Sequence, residues 1–116
     1  MDVKVLVAKQ IAFDKAHGFP VEFDSLPDKY TQISKDLVGL VGEIGEFANV
    51  VKKVMLHLDR PAEYPFRIGE AEACLSEELI DVLIYTIRLA AILDIDIEEE
   101  YEKKLSYNLR RYERLG

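Results

Sequence analysis

An all-α fold, an antiparallel bundle of about four helices, follows from three features of the sequence. Apolar residues recur at helical spacing in four separate stretches. The period-two alternation of a half-buried strand is almost absent. Helix-breaking pairs and capping residues fall between the periodic stretches, not within them. At 116 residues the chain fits a single domain, 1–116. With 49% apolar residues it can build a core, but a chain this short is often completed by self-association. Self-association is therefore expected.

The first helix is expected from about residue 2 to His17, where Gly18 and Pro20 stop it. A loop, "FPVEFDSLP", follows. The second helix starts between Ser25 and Asp28, a pair three apart that resembles a capping box. Its apolar series Ile33, Leu37, Leu40, Val41, Ile44, Phe47 and Val51 keeps to one face and continues to Met55 and Leu58. Arg60-Pro61 ends it. The third helix starts between Gly69 and Leu75 and runs to about Leu93. It is apolar nearly all round, which predicts a place at the centre of the bundle. Asp96 and Glu99 offer a second capping-box-like start, for a fourth helix reaching about Arg114.

Composition excludes several classes. A net charge of −7 and a pI near 4.8 argue against a nucleic-acid polymer as partner, which needs basic surface to replace condensed counterions. The longest apolar run, "LIDVLIYTIRLAAIL", holds Asp81 and Arg88 and is too short to span a bilayer, so no membrane association is expected. The N-terminus lacks a cleavage pattern, and the lone Cys74 points to a reducing compartment, the cytoplasm. Cys74 itself reads as a small buried hydrophobe.

The stretch "VGEIGEFANV" places Glu43 and Glu46 three apart in a run of glycine and hydrocarbon. Like charges at that spacing repel on a helix. The third helix repeats the pattern with Glu78 and Asp81, followed one turn on by Tyr85. Antiparallel helices would let these four carboxylates converge. Two ionised groups ~5 Å apart repel by roughly 3 kcal/mol at an effective dielectric of ~20. A bound divalent cation reverses that sign, and magnesium takes hard oxygen ligands with substrate phosphates completing its shell. Gly39, Gly42 and Gly45, each costing about 0.5–1 kcal/mol against alanine in a helix, mark a close approach by another helix or by a ligand. Tight packing alone accounts equally well for Gly42 and Gly45.

On the fourth helix Lys104, Asn108 and Arg111 fall at i, i+4 and i+7, one stripe. Cations and an amide beside an acid-and-metal cluster suit a polyphosphate. Lys53 shares the stripe of Glu43 and Glu46. There it is read either as a phosphate contact or as a neutralising partner for Glu46. Tyr85 is read as a phosphate contact or a core tyrosine. Arg88 is expected to pair with an acid.

These residues resemble the all-α nucleoside triphosphate pyrophosphohydrolases, the MazG-like superfamily. Its mark is E-x-x-E on one helix and E-x-x-D on the next, here "EIGE" (Glu43, Glu46) and "ELID" (Glu78, Asp81). Its later K-x-x-x-N-x-x-R is matched by "KLSYNLRR", giving Lys104, Asn108 and Arg111. The stretches "LVGLVGEIGE" and "EELIDVLIYTIRLA" look most like the dCTP pyrophosphatase branch, in which the tyrosine at the place of Tyr85 contacts phosphate. The resemblance implies Mg²⁺-dependent hydrolysis, with Mn²⁺ as a substitute, of a nucleoside triphosphate to monophosphate and pyrophosphate. It implies that the four acids bind metal and that one of them activates the water. It also implies dimers or tetramers whose site is often completed across chains, and a role in nucleotide-pool clearance. The chain departs from the pattern twice. The segment from 47 to 77 is long, an added loop or lid. Lys53 stands where dCTP-specific relatives carry a base-stacking tryptophan, so the dCTP preference does not carry over.

Two other functions fit the acids. One is a non-catalytic helical module that binds nucleotide or a partner, with structural acidic pairs. The other is a di-iron or di-manganese bundle; neither His17 nor His57 stands in the E-x-x-H spacing that such bundles use.

Overall fold

The computed structural model describes residues 1–115. Among them are four α-helices and no strand: α1 (Val3–Ala16), α2 (Leu26–Asp59), α3 (Ile68–Ile92) and α4 (Ile97–Leu115). Side-chain caps open three of the four. Asp2 Oδ1 accepts from the Val5 N–H at 2.9 Å, Ser25 Oγ from Asp28 at 3.2 Å, and Asp96 Oδ1 from Glu99 at 3.1 Å. The expected starts and stops hold to within a residue or two; α3 begins at Ile68, one residue before the expected range.

α1 and α3 end in the same way. The Phe19 N–H reaches back to the Asp14 carbonyl, and the Ile95 N–H to the Ala90 carbonyl, each at 2.8 Å. Such a reversal needs a left-handed residue just past the helix. Gly18 supplies it at φ +74° and Asp94 at φ 55°. Aspartate is among the few side chains that tolerate this region, because its short polar group bonds locally.

α2 and α3 form an antiparallel hairpin, and their pairings run in opposite order: Asp36 with Arg88, Gly39 with Tyr85, Glu43 with Glu78. α1 packs on α3 and α4 on α1. Most of the fully buried apolar residues lie in the C-terminal half of α3, Ile87, Ala90 and Ile92, with Val21 alongside; Ala71, nearer the start of α3, is buried apart from them.

The central position expected for α3 therefore holds for one half only. Leu79 and Ile80 are more than half exposed and Leu83 is partly so. The apolar face expected on α2 is likewise only partly covered. Ile33, Leu40, Phe47 and Val51 are half-buried, whereas Leu37, Val41, Ile44, Met55 and Leu58 are exposed. Cys74 is exposed, not buried as expected, because it lies off the inward row of Ala71, Leu75 and Glu78. The radius of gyration, 18.4 Å, exceeds the roughly 13 Å of a compact chain of this length. Among the described residues no helix is long and apolar enough to cross a membrane.

Candidate metal centre and the cleft beside it

Three of the four expected carboxylates meet. Glu43 and Glu46 from α2 and Glu78 from α3 each offer an oxygen, and these oxygens lie within 4.8 Å of one another. Their i, i+3 spacing turns both α2 acids toward the same neighbour. Glu43 and Glu78 are half-buried and Glu46 is exposed. The Oε2 atoms of Glu43 and Glu78 are buried without a hydrogen-bond partner among the described residues. Such atoms normally find one.

The crowding has an electrostatic signature. The Glu78 carboxyl is pushed up to about 8, first by the hydrogen bond it shares with Glu43 and then by burial. The hydrogen bond and charge of Glu46, and the charge of Glu43, add to the same effect. Without a counter-ion the cluster thus keeps a proton. Hard, convergent oxygens with two buried orphan atoms fit a small divalent cation of the magnesium class.

Asp81, one turn beyond Glu78, stands apart from this trio. It lines, with Glu43 and Tyr85, a cleft of about 660 Å³ that leads away from the carboxylates between α1, α2 and α3. Tyr85 lies across α2 at Gly39, where an added Cβ would overlap the phenol ring. The close approach read from the glycines is therefore real at Gly39. Gly42 and Gly45 have open space around the same position within this chain.

At the far end of the cleft lies a charged hub. Arg88 Nη1 faces Asp14 Oδ2 at 3.2 Å, and its Nη2 and Nε reach Asp36 Oδ2 at 3.0 and 3.1 Å. Nη2 also donates to the Pro20 carbonyl at 3.0 Å. The three side chains are almost wholly buried. Gln10 donates to Asp14 Oδ1 at 2.9 Å and Gln32 to Asp36 Oδ1 at 3.1 Å.

Residues 32–114 match the family model described as the MazG nucleotide pyrophosphohydrolase domain. The chain belongs to that family. It is also 34% identical over 85 residues to dCTP pyrophosphatase 1 of Mus musculus and 35% identical over 85 residues to dCTP pyrophosphatase 1 of Homo sapiens. Each alignment covers 73% of this chain and 48% of the relative. The chain thus spans about half the length of the curated relatives it matches. These relatives agree with the resemblance read from the paired acids.

The matched MazG segment contains all nine candidate site residues, but one chain does not assemble them all. Lys104 and Arg111 are exposed and lie over the rings of Tyr107 and Tyr112, at 5.0 and 5.6 Å, and Asn108 is half-buried. α4 carries all three away from the cleft, since its packing is on α1. Lys53 is exposed and makes no ion pair among the described residues. Neither it nor the α4 trio lines the cleft.

Reading the sequence assigned no role to the hub's acids or to the two glutamines attached to them, although Gln32 falls on the stripe of Glu43 and Glu46. A signal was present. Gln10/Asp14 and Gln32/Asp36 repeat Q-x-x-x-D, the i, i+4 spacing at which an amide can hold a carboxylate. An arginine inside "LIYTIRLAAIL" also needed buried counter-charge from elsewhere.

Proposed function

We propose that this chain is a divalent-metal-dependent nucleoside triphosphate pyrophosphohydrolase, cleaving an NTP or dNTP to the monophosphate and pyrophosphate. The observation that carries the reading is the trio Glu43, Glu46 and Glu78, within 4.8 Å and holding orphaned buried oxygens. Together with Asp81 these acids hold Mg²⁺, with Mn²⁺ as a substitute. The ion, when bound, screens the triphosphate from the carboxylates and stabilises charge developing on the leaving pyrophosphate.

The chain's own groups do the rest. A carboxylate of the cluster orients the attacking water and accepts its proton. As the α–β anhydride bond breaks, Tyr85 donates its hydroxyl hydrogen to a phosphate oxygen. Lys53, Lys104, Asn108 and Arg111 hold the remaining phosphate charge. The α4 stripe reaches the site from a second copy of the chain. This is supported by the exposed apolar faces of α2 and α3 and by α4's position away from its own cleft. The four helices act as one domain of a cytoplasmic enzyme that clears nucleotides from the pool.

The test is a panel of NTPs, dNTPs and modified nucleotides with Mg²⁺ or Mn²⁺, read by phosphate chromatography. Monophosphate and pyrophosphate are expected in equal amounts from at least one substrate, with no product when the metal is chelated. A folded protein that leaves every nucleotide intact would remove the proposal.

A further inference from the structure

The cleft extends well beyond the carboxylates, and its far end is chemically different. Asp14 and Asp36 there share Arg88, and Lys35 lines the same end, so the formal charges of −2 and +2 sum to zero. The guanidinium is turned toward those two carboxylates and the Pro20 carbonyl. Arg88 is taken up by the two carboxylates, and Lys35, exposed at the rim, makes no ion pair among the described residues, so the lining at this end is neutral in sum and suits a group without net charge. Phe13 and Phe19 line the same space with about half of each residue exposed, 51% and 50%. Phe13 already stacks on His17, with ring centroids 4.2 Å apart, which leaves Phe19 and the remaining exposed surface of Phe13 beside a polar wall, a setting that suits a planar heteroaromatic ring.

We propose that Gln10 and Gln32 are the residues that select the base, reading the edge of a nucleobase seated in this recess while its phosphates lie at Glu43, Glu46 and Glu78. The inference rests on the pyrophosphohydrolase reading and adds to it the means of substrate choice.

The physical reason is orientation. A free glutamine amide can turn over and exchange donor for acceptor, so it discriminates poorly. Here each amide gives one N–H to a carboxylate, at 2.9 Å for Gln10 and 3.1 Å for Gln32. Turning either amide over would set its carbonyl oxygen against a buried anion. Arg88 fixes both anions, so both amides are held. What remains on each is one carbonyl acceptor and one N–H donor side by side, the complement of a base edge. A base with the wrong pattern leaves a buried polar group unpaired, and that is the kind of mismatch binding sites reject strongly. Stacking on Phe13 and Phe19 contributes affinity for every base and selects none. Gln10, Phe13 and Phe19 lie before the segment that matches the family model, so the recess joins α1 to the MazG core.

The experiment compares kcat/KM for the eight common NTPs and dNTPs in wild type, Gln10→Leu, Gln32→Leu and Phe19→Ala, with folding checked by circular dichroism. Either leucine variant is expected to narrow the ratio between best and worst base at least tenfold, mainly through KM. Phe19→Ala is expected to lower all bases together. If a leucine variant does not fold, Gln32→Asn, one methylene shorter, gives the same readout. Unchanged base ratios in the folded glutamine variants overturn the inference, as does a wild type that hydrolyses all bases alike. Thermal shift with unphosphorylated nucleosides separates the two proposals. If no nucleotide is hydrolysed, yet a nucleoside stabilises wild type and not Gln32→Leu, the recess stands and the pyrophosphohydrolase reading falls. No hydrolysis and no nucleoside effect removes both.

Discussion

Asp36 and Glu43 lie seven residues apart on α2, about two helical turns, and each faces an acid from another helix. Their surroundings differ in one respect. Asp36 and Asp14 share Arg88, supplied by the chain itself from α3. Glu43, Glu46 and Glu78 meet with no cation from the chain among the described residues. Each cluster holds two buried atoms without a hydrogen bond there, but Asp14 Oδ2 and Arg88 Nη1 face each other as an ion pair at 3.2 Å, whereas Glu43 Oε2 and Glu78 Oε2 are both anionic oxygens. The first cluster is closed, and its work is to hold other groups in place. It ties α1, the Pro20 loop and α2 to α3 through one guanidinium. The second is open, and openness distinguishes a place prepared for a ligand from a finished piece of core.

The sharpest way to break this comparison is to open the closed cluster. Arg88→Met leaves two buried carboxylates without a counter-charge. Removing one partner of a buried ion pair costs about 3–5 kcal/mol. Thermal unfolding followed by circular dichroism should show Tm lowered by roughly 10–20 °C. An unchanged Tm would mean that Asp14 and Asp36 are hydrated in solution and that the hub does not hold the helices together.

The opposite manipulation relieves the open cluster. Glu78 holds a proton up to about pH 8 in the folded chain, against an ordinary value of 4.5. A group whose pKa is raised on folding stabilises fully below its unfolded value, and that contribution disappears as pH rises through the folded one. Metal-free wild type should therefore lose stability from about pH 4.5 to 8, and Glu78→Gln should flatten this slope. Metal binding displaces the same proton, so affinity for Mg²⁺ should rise by up to about tenfold per pH unit until pH 8. Glu78→Gln should also lower hydrolysis roughly 10²-fold or more, since the ion's charge stabilisation is lost. Urea melts at several pH values and calorimetric metal titrations give both readouts. A variant as pH-dependent as wild type would locate the proton elsewhere.

The contrast also explains what could be read from the sequence. The helices were legible because their signals are local: Ser25 and Asp96 act as caps, and Gly18 reverses the chain. The acid trio was legible because E-x-x-E and E-x-x-D each fix two groups on one helix face. The hub was not, because Arg88 and its partners are 52 and 74 positions apart. Their pairing depends on how three helices pack. The buried share of the apolar series was illegible for a related reason. Periodicity shows which side of α2 is apolar, but not that Leu37, Val41 and Ile44 stay exposed within one chain.

Two glycines carry the comparison to smaller effects. At Gly39 a methyl group would overlap Tyr85, so Gly39→Ala must displace the ring. Overpacking of this kind costs about 1–3 kcal/mol. Because Tyr85 lines the cleft, kcat/KM should fall together with Tm. Loss of stability with unchanged kinetics would remove Tyr85 from the site.

Gly42 differs because nothing among the described residues lies within 4 Å of where its Cβ would stand. In an isolated chain Gly42→Ala should stabilise α2 by about 0.5–1 kcal/mol, since alanine loses less backbone freedom on folding. The exposed residues Val38, Val41 and Ile44 lie close by in sequence, and a second copy seated there would approach Gly42 closely. The sign of the change therefore distinguishes two states of the same face. A raised Tm, independent of protein concentration, means that α2 meets only water at this turn. A lowered, concentration-dependent Tm, with a shift toward monomer in sedimentation, means that the face is covered by another chain, and that three glycines on one helix serve two different contacts.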